Sequence, residues 1–377
     1  MDSPDRSLPL ALWVLGAGDI AGVGRHALDV AGHGVPGWRV EFLVEEGPLA
    51  ADLRGIGAVV TELPGPFGKH TGTARSLTTF RRVVRQQQPD LVHSHLSWAD
   101  VVAGLGLVRS PVPAVTTEHG IADVKGLYNA RMRGDLMRQL HRWRLRRTAG
   151  IIAVSRATRR SMTTQWGPLV APVQTVQPNG AGVLAAVDQP PRQGLRVGLL
   201  ARLAPEKRVD LAVRAFAAVH RQRPDSRLLL GGSGPLEPEL RALVRQLGLD
   251  QVVTFLGYVR PVDFWPEVDV LVQLSAWENC SYSLLDGLRL GRGIVATDVG
   301  GNGEFLPPAA LVGPSPTTEE VATAILGQEH SSYGLPAGWP TVGEMTEGIA
   351  KVYDEVMALG VRSLPPRPVP LAKEGEL

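Results

Sequence analysis

The chain has 377 residues, 44% hydrophobic and 20% charged, with a formal net charge of +2. That length exceeds one compact core and predicts two domains, while so small a charge excludes bulk attraction to nucleic acid or to an anionic membrane. The single cysteine, Cys280, excludes an intrachain disulfide framework and fits a reducing compartment.

The first apolar run, residues 8–16, is too short to span a bilayer and follows acidic as well as basic residues. It reads as a buried first strand. With no signal peptide or transmembrane helix evident, the expected location is cytoplasmic. Short apolar runs, many rich in β-branched residues, follow at 39–44, 58–61, 91–94, 114–118 and 150–154, separated by amphipathic stretches such as 71–88. This rhythm predicts βαβ units on a parallel sheet. The turn Gly16-Ala-Gly-Asp-Ile-Ala21 fits a dinucleotide pattern, with Glu41, Glu45 and Glu46 near the ribose-binding distance. Taken alone it predicts a nicotinamide-dependent dehydrogenase, a reading that leaves the second half unexplained.

Segment 131–147 carries seven arginines with Met132, Leu136, Met137, Leu140, Trp143 and Leu145 between them. Such a basic amphipathic helix has two readings: peripheral contact with an anionic membrane, or a solvent face on a core-packed helix, which is favoured. Residues 184–193 hold turn formers and little periodicity, which places the linker there. A second strand series occupies 196–200, 227–230, 252–255, 268–273 and 293–297, and a last helix covers 342–359 ahead of a tail at 365–377. The fold class is therefore α/β with two Rossmann-like, doubly wound domains, residues 1–190 and 191–340.

The chemistry concentrates between residues 198 and 301. A strand ends at Arg202, a short loop holds Pro205, and Lys207 opens the next helix. A guanidinium, an ammonium and a helix start at the carboxyl end of a parallel strand suit an anionic ligand such as a diphosphate. Glu278 and Asp286 stand eight residues apart, slightly over two helical turns, so they can share a face. Carboxylates only accept hydrogen bonds, which suits polyhydroxyl ligands.

Arg202 with Lys207, Gly231-Gly-Ser-Gly-Pro235, Phe255-Leu-Gly257, Glu278 with Asp286, and Asp298-Val-Gly-Gly301 followed by Glu304 form an ordered set. Weaker elements precede it: Ala21-Gly-Val-Gly-Arg-His26, Asp90-Leu-Val-His-Ser-His95, Glu118-His119-Gly120, Ala153-Val-Ser155 and Pro178-Asn-Gly180. Together they resemble the retaining GT-B glycosyltransferases of family 4, the glycogen-synthase-like group.

The resemblance implies a GT-B fold and transfer of a sugar from a nucleotide diphosphate donor to a hydroxyl acceptor with its anomeric configuration kept, usually without a metal or other cofactor. Polysaccharide, glycolipid and natural-product pathways all fit. Arg202 and Lys207 would hold the diphosphate, Asp286 the ribose and Glu278 the sugar hydroxyls, with Ser283 and Leu284 among the donor contacts. Gly257, Tyr258 and Val259 would line the nucleobase, Gly22 would let the first loop approach the ligand, and His119 would sit over the reacting carbon. The helix at 342–359 would return to the first domain. Three positions depart from the family pattern: Asp286 replaces glutamate, Ala21 replaces the first glycine of a pair, and Gly293 stands where proline is common. The departures at Ala21 and Asp286 motivate an alternative, a non-catalytic GT-B partner protein. A GT-B epimerase lacks clear acid-base candidates.

Overall fold

The structure is a computed structural model that describes residues 8–16, 18–63, 73–120, 131–182 and 193–360. Residues 184–192 of the predicted linker at 184–193, and the tail at 365–377, lie outside the described residues.

Two parallel sheets organise the chain. In the first, β1 (Leu10–Leu15), β2 (Arg39–Glu45), β3 (Val59–Leu63), β4 (Leu91–His95), β5 (Ala114–Glu118), β6 (Gly150–Ala153) and β7 (Val173–Val176) lie in the order 3-2-1-4-5-6-7. In the second, β8 (Arg196–Leu200), β9 (Arg227–Gly231), β10 (Val253–Gly257), β11 (Val270–Gln273), β12 (Gly293–Thr297) and β13 (Leu311–Val312) lie in the order 10-9-8-11-12-13. Each order reverses direction once, between β1 and β4 and between β8 and β11. Crossovers on either side of such a reversal diverge, which opens a crevice at the strands' carboxyl ends.

Both sheets bury both faces. On β1, Ala11, Trp13 and Leu15 join a core with α1 (Gly22–His33), α2 (Pro48–Gly55) and α12 (Val342–Ala358), while Leu12 and Val14 face α3 (Thr73–Gln87) and α4 (Ser97–Gly106). In the second sheet Val270 and Val272 pack with α7 (Val209–Gln222), α8 (Glu237–Gln246) and α11 (Thr318–Gly327), whereas Leu271 packs with α9 (Pro261–Phe264) and α10 (Tyr282–Arg289). Period-two burial on opposite faces is what continuous apolar runs in a parallel sheet require. The edge strands β7 and β13 are absent from the predicted set. β13 is only two residues long and β7 sets Gln174 and Thr175 between its two valines, so neither forms an extended apolar run.

The last helix, α12, begins at a capping box in which Thr341 and Glu344 satisfy one another's backbone N–H groups. It crosses back to the first sheet, where Tyr353 accepts a hydrogen bond from Trp13 Nε1 at 2.8 Å. Two further helices complete the first sheet, α5 (Arg131–Leu145) and α6 (Arg156–Trp166). In the described part of α5, Arg144 is fully buried and Trp143 lies against Gly104, so both face the protein. The side chains of residues 131–137 lie outside the described set.

Candidate active site

At the reversal in the second sheet, the loops after β8 and β11 meet. A 3₁₀ turn at Pro205–Lys207 and a left-handed Arg208, φ 47°, separate β8 from α7. The turn is tied to the β11 loop by Ala276 N–H donating to the Glu206 carbonyl at 2.7 Å. Lys207 Nζ donates to Glu278 Oε2 at 2.6 Å, and that same oxygen accepts from Gln273 Nε2 at 2.9 Å and Ser275 Oγ at 3.2 Å. Gln273 is itself fixed by Ser281 Oγ donating to its Oε1 at 2.8 Å, and Ser281 caps α10. Arg202 projects outward, its side chain 68% exposed, and pairs with Glu206 at 2.5 Å.

The doubled glycine after β12 explains how Glu278 is placed. A Cβ on Gly300 would fall onto the Glu278 carbonyl, and one on Gly301 onto that of Asn279. Gly300 has φ +55° and Gly301 N–H donates to the Glu278 carbonyl at 3.2 Å. Only glycine allows that backbone approach. Gly293 has a comparable reason: a Cβ there would meet the Gln328 carbonyl, and its N–H donates to Asp269, a bond proline could not make.

Asp286 is buried in α10 and does not join the Lys207–Glu278 pair. Its carboxylate lies 3.6 Å from Arg25 Nη1 on α1, and Arg25 also holds Asp29 at 3.0 Å and stacks over the Tyr282 ring. Burial pushes the Asp286 carboxyl up to about 6, opposed by the Arg25 charge and reinforced by Asp29. Ser283 Oγ donates to the Leu200 carbonyl at 3.1 Å, and Leu284 is fully buried, so both fix α10 against the sheet. At the end of β10, Gly257 takes φ +63°, Tyr258 is 64% exposed and Val259 packs into the core.

Across from these loops, His119 follows β5. Its Nε2 lies 3.0 Å from His95 Nδ1, and His26 and His93 complete a group of rings around Trp13. Burial holds all four imidazoles below their ordinary range, so they are neutral at pH 7. A Cβ on Gly120 would lie 3.1 Å from Trp277 and 3.2 Å from Asn279, the residues flanking Glu278. The carboxyl ends of the two sheets therefore face one another here. Beneath His119, Arg144 donates to Asp100 and, at 2.6 Å, to Glu118, whose carboxyl burial pushes up to about 8. Gly22 lies in open space: a Cβ added there meets nothing within 4 Å. Gly18, in the turn that resembles a dinucleotide motif, is instead closed against the Glu46 carbonyl.

Arg25, Gln273, Ser275, Ser281 and Tyr282 were not singled out by motif reasoning. A glutamine ending an otherwise apolar strand and an arginine one turn before Asp29 are the signals that point to two of them. Glu304 accepts from the backbone N–H groups of Arg156 and Ala157 at 3.0 and 2.6 Å, which caps α6 from the other lobe.

Two doubly wound lobes with facing carboxyl edges define the GT-B class. HepE from Anabaena, solved with UDP and glucose, superposes with a TM-score of 0.68 over 94% of this chain and 99% of that one at 19% identity. A glycosyltransferase from Rickettsia africae gives 0.69 over 93% and 99% at 15% identity. Residues 20–181 match the model described as Glycosyltransferase Family 4, and residues 194–327 that described as Glycosyl transferases group 1. The chain is thus a glycosyltransferase of the family 4-like group. A 2-deoxystreptamine glucosyltransferase from Streptomyces kanamyceticus is 26% identical over 66% of this chain and 71% of that protein. A glycogen synthase from Mycobacterium tuberculosis is 28% identical over 58% and 55%, so the match spans about half of that relative. Among the described residues, no helix is long and apolar enough to cross a membrane.

Proposed function

We propose that the protein transfers a sugar, with retention, from a nucleotide diphosphate donor on the second lobe to a hydroxyl acceptor on the first. The observation that carries this reading is the Lys207–Glu278 pair at 2.6 Å, set where the second sheet reverses. Without ligand, the two charges satisfy each other. An arriving diphosphate draws Lys207 and the exposed Arg202, and its charge grows as it leaves, which is where fixed cations lower the barrier most. Glu278, released from Lys207 yet still held by Gln273 and Ser275, then accepts hydrogen bonds from the sugar hydroxyls.

The neutral His119 sits on the facing edge, positioned to polarise or orient the reacting sugar. The leaving phosphate takes the acceptor proton in this scheme, so no step calls for a metal or cofactor. Tyr258 and the left-handed Gly257 line the nucleobase, and the open space at Gly22 admits the donor. Asp286 reaches the ribose once Arg25 yields it. UDP in the HepE structure makes UDP-sugars the first donors to try.

The test is a thermal-shift and transfer screen of UDP-, GDP-, ADP- and TDP-sugars with saccharide, aminocyclitol and inositol acceptors, the product anomer read by NMR. One donor should stabilise the protein and give product of the donor's own anomeric configuration. Inverted product would overturn the retaining assignment, and silence across the panel the donor reading.

A further inference from the structure

His26 on α1, His95 at the end of β4 and His119 just past β5 converge on one point. One ring nitrogen from each lies within 4.8 Å of the other two. Their ring centroids are 4.9 Å apart for His26 and His119, 5.2 Å for His95 and His119, and 5.7 Å for His26 and His95. Metal–nitrogen bonds of about 2.0–2.1 Å at tetrahedral angles set imidazole centroids roughly 5 Å apart around a common ion. The three rings already stand at close to that spacing.

Hydrogen bonding points the same way. His26 Nε2 and His95 Nε2 are buried with no hydrogen-bond partner among the described residues, an arrangement that ordinary packing avoids. The other nitrogen of His26, Nδ1, lies 3.4 Å from the Tyr282 hydroxyl, which is in turn bonded to Asp29. With Nε2 on an ion, Nδ1–H donates to that hydroxyl, the outer support that metal-bound histidines usually have. Trp13 stacks on His26 and lies 4.2 Å from His95, and its own indole is anchored by Tyr353. The rings are therefore held in place before any ligand arrives.

We propose that His26, His95 and His119 form a binding site for one divalent transition-metal ion of the zinc class. An all-imidazole set selects zinc, cobalt, nickel or copper over magnesium and calcium, which require oxygen ligands. His119 is the half-buried member, so the fourth coordination position opens toward the facing lobe. The ion is an inhibitor of transfer and not its cofactor, because it occupies the ring that the proposed reaction places beside the sugar. That consequence rests on the proposed function; the binding itself does not.

The experiment titrates Co²⁺ into the untagged, chelator-stripped full-length chain and reads visible absorption and bound metal. One ion per chain with the intense visible band of a tetrahedral site is expected, displaced by Zn²⁺ and lost in His119→Ala and His26→Ala. Melting curves of the metal-free variants establish that they fold; should His26→Ala not fold, the half-buried His119→Ala still decides. Absence of the band at stoichiometric cobalt, or its persistence in the folded His119→Ala variant, overturns the site. Loss of transfer on adding Zn²⁺, restored by chelation, reads the inhibitory consequence separately.

Discussion

Around the second sheet, Arg202 pairs with Glu206 and Lys207 with Glu278, and both cations stay partly open to solvent. Around the first sheet, His26, His93 and His95 pack on Trp13 and His119 packs on His26 and His95, all four kept neutral by burial, while Arg144 is sealed in the lobe with Asp100 and Glu118. An edge with exchangeable ion pairs can hand its charges to an incoming diphosphate, because pairs that solvent still reaches are held less tightly than sealed ones. An edge of buried neutral rings gives shape and orientation instead. One fold, used twice, thus supplies a charged wall and a neutral wall to one crevice.

The comparison breaks most severely if the support under Glu278 is removed. Gly300→Ala places a Cβ on the Glu278 carbonyl and should lower kcat/KM by about 10²-fold or more, since small misplacement of a reacting group costs that much. Circular dichroism should remain that of the wild type, and a fully active variant would show that the loop is not held from below.

On the other wall the expected loss is in stability. Arg144→Met leaves Asp100 buried without its cation and should destabilise the protein by about 3–5 kcal/mol, read from urea unfolding. A loss below about 1 kcal/mol would mean that the cluster is solvated. The two walls should differ in this respect: changes at Lys207 or Arg202 should barely move the unfolding midpoint.

Asp286 sharpens the contrast through pH. Its folded carboxyl, raised to about 6 from 3.8, binds a proton that the unfolded chain releases. This group therefore disfavours the fold above pH 6, and the penalty fades as pH falls from 6 toward 4. Protonation also removes the charge facing Arg25, so activity should fall on the acid side with a midpoint near 6. Asp286→Asn should lack that limb, and an unchanged pH profile would exclude Asp286 as its source.

The smallest effect belongs to Gly22. Because a Cβ there meets nothing, Gly22→Ala should hold or slightly raise stability, by up to about 1 kcal/mol, while donor or acceptor KM rises. Unchanged KM would leave that open space without a ligand to admit.

Much of this was legible in the sequence. Short apolar runs indicated both sheets, because strands buried on both faces are mostly apolar, even though β4 and β5 bury His93, His95 and Glu118. Lys207 and Glu278 could be paired from motif order alone, since the strand ends carrying them are neighbours in a doubly wound sheet. The role of Gly300 and Gly301 was not legible, because a glycine required by a distant backbone carbonyl looks like one required by a turn. Asp29 one turn on is a local signal for Arg25, but the contact with Asp286, 261 positions away on the other lobe, was hidden because nothing local marks a contact across a crevice. Segment 131–147 was favoured as a core-packed helix, but its seven arginines gave no sign that Arg144 would be the most deeply buried cation described.

The central claim is that Lys207 and Glu278 together hold a sugar nucleotide, and calorimetric titration of wild type and Lys207→Ala with UDP-sugars and their GDP, ADP and TDP counterparts tests it most directly. One donor should bind the wild type at one site per chain and lose at least about 100-fold in affinity in the variant, with the melting temperature unchanged. Equal affinity in the two proteins, or no binding by any donor, would contradict it.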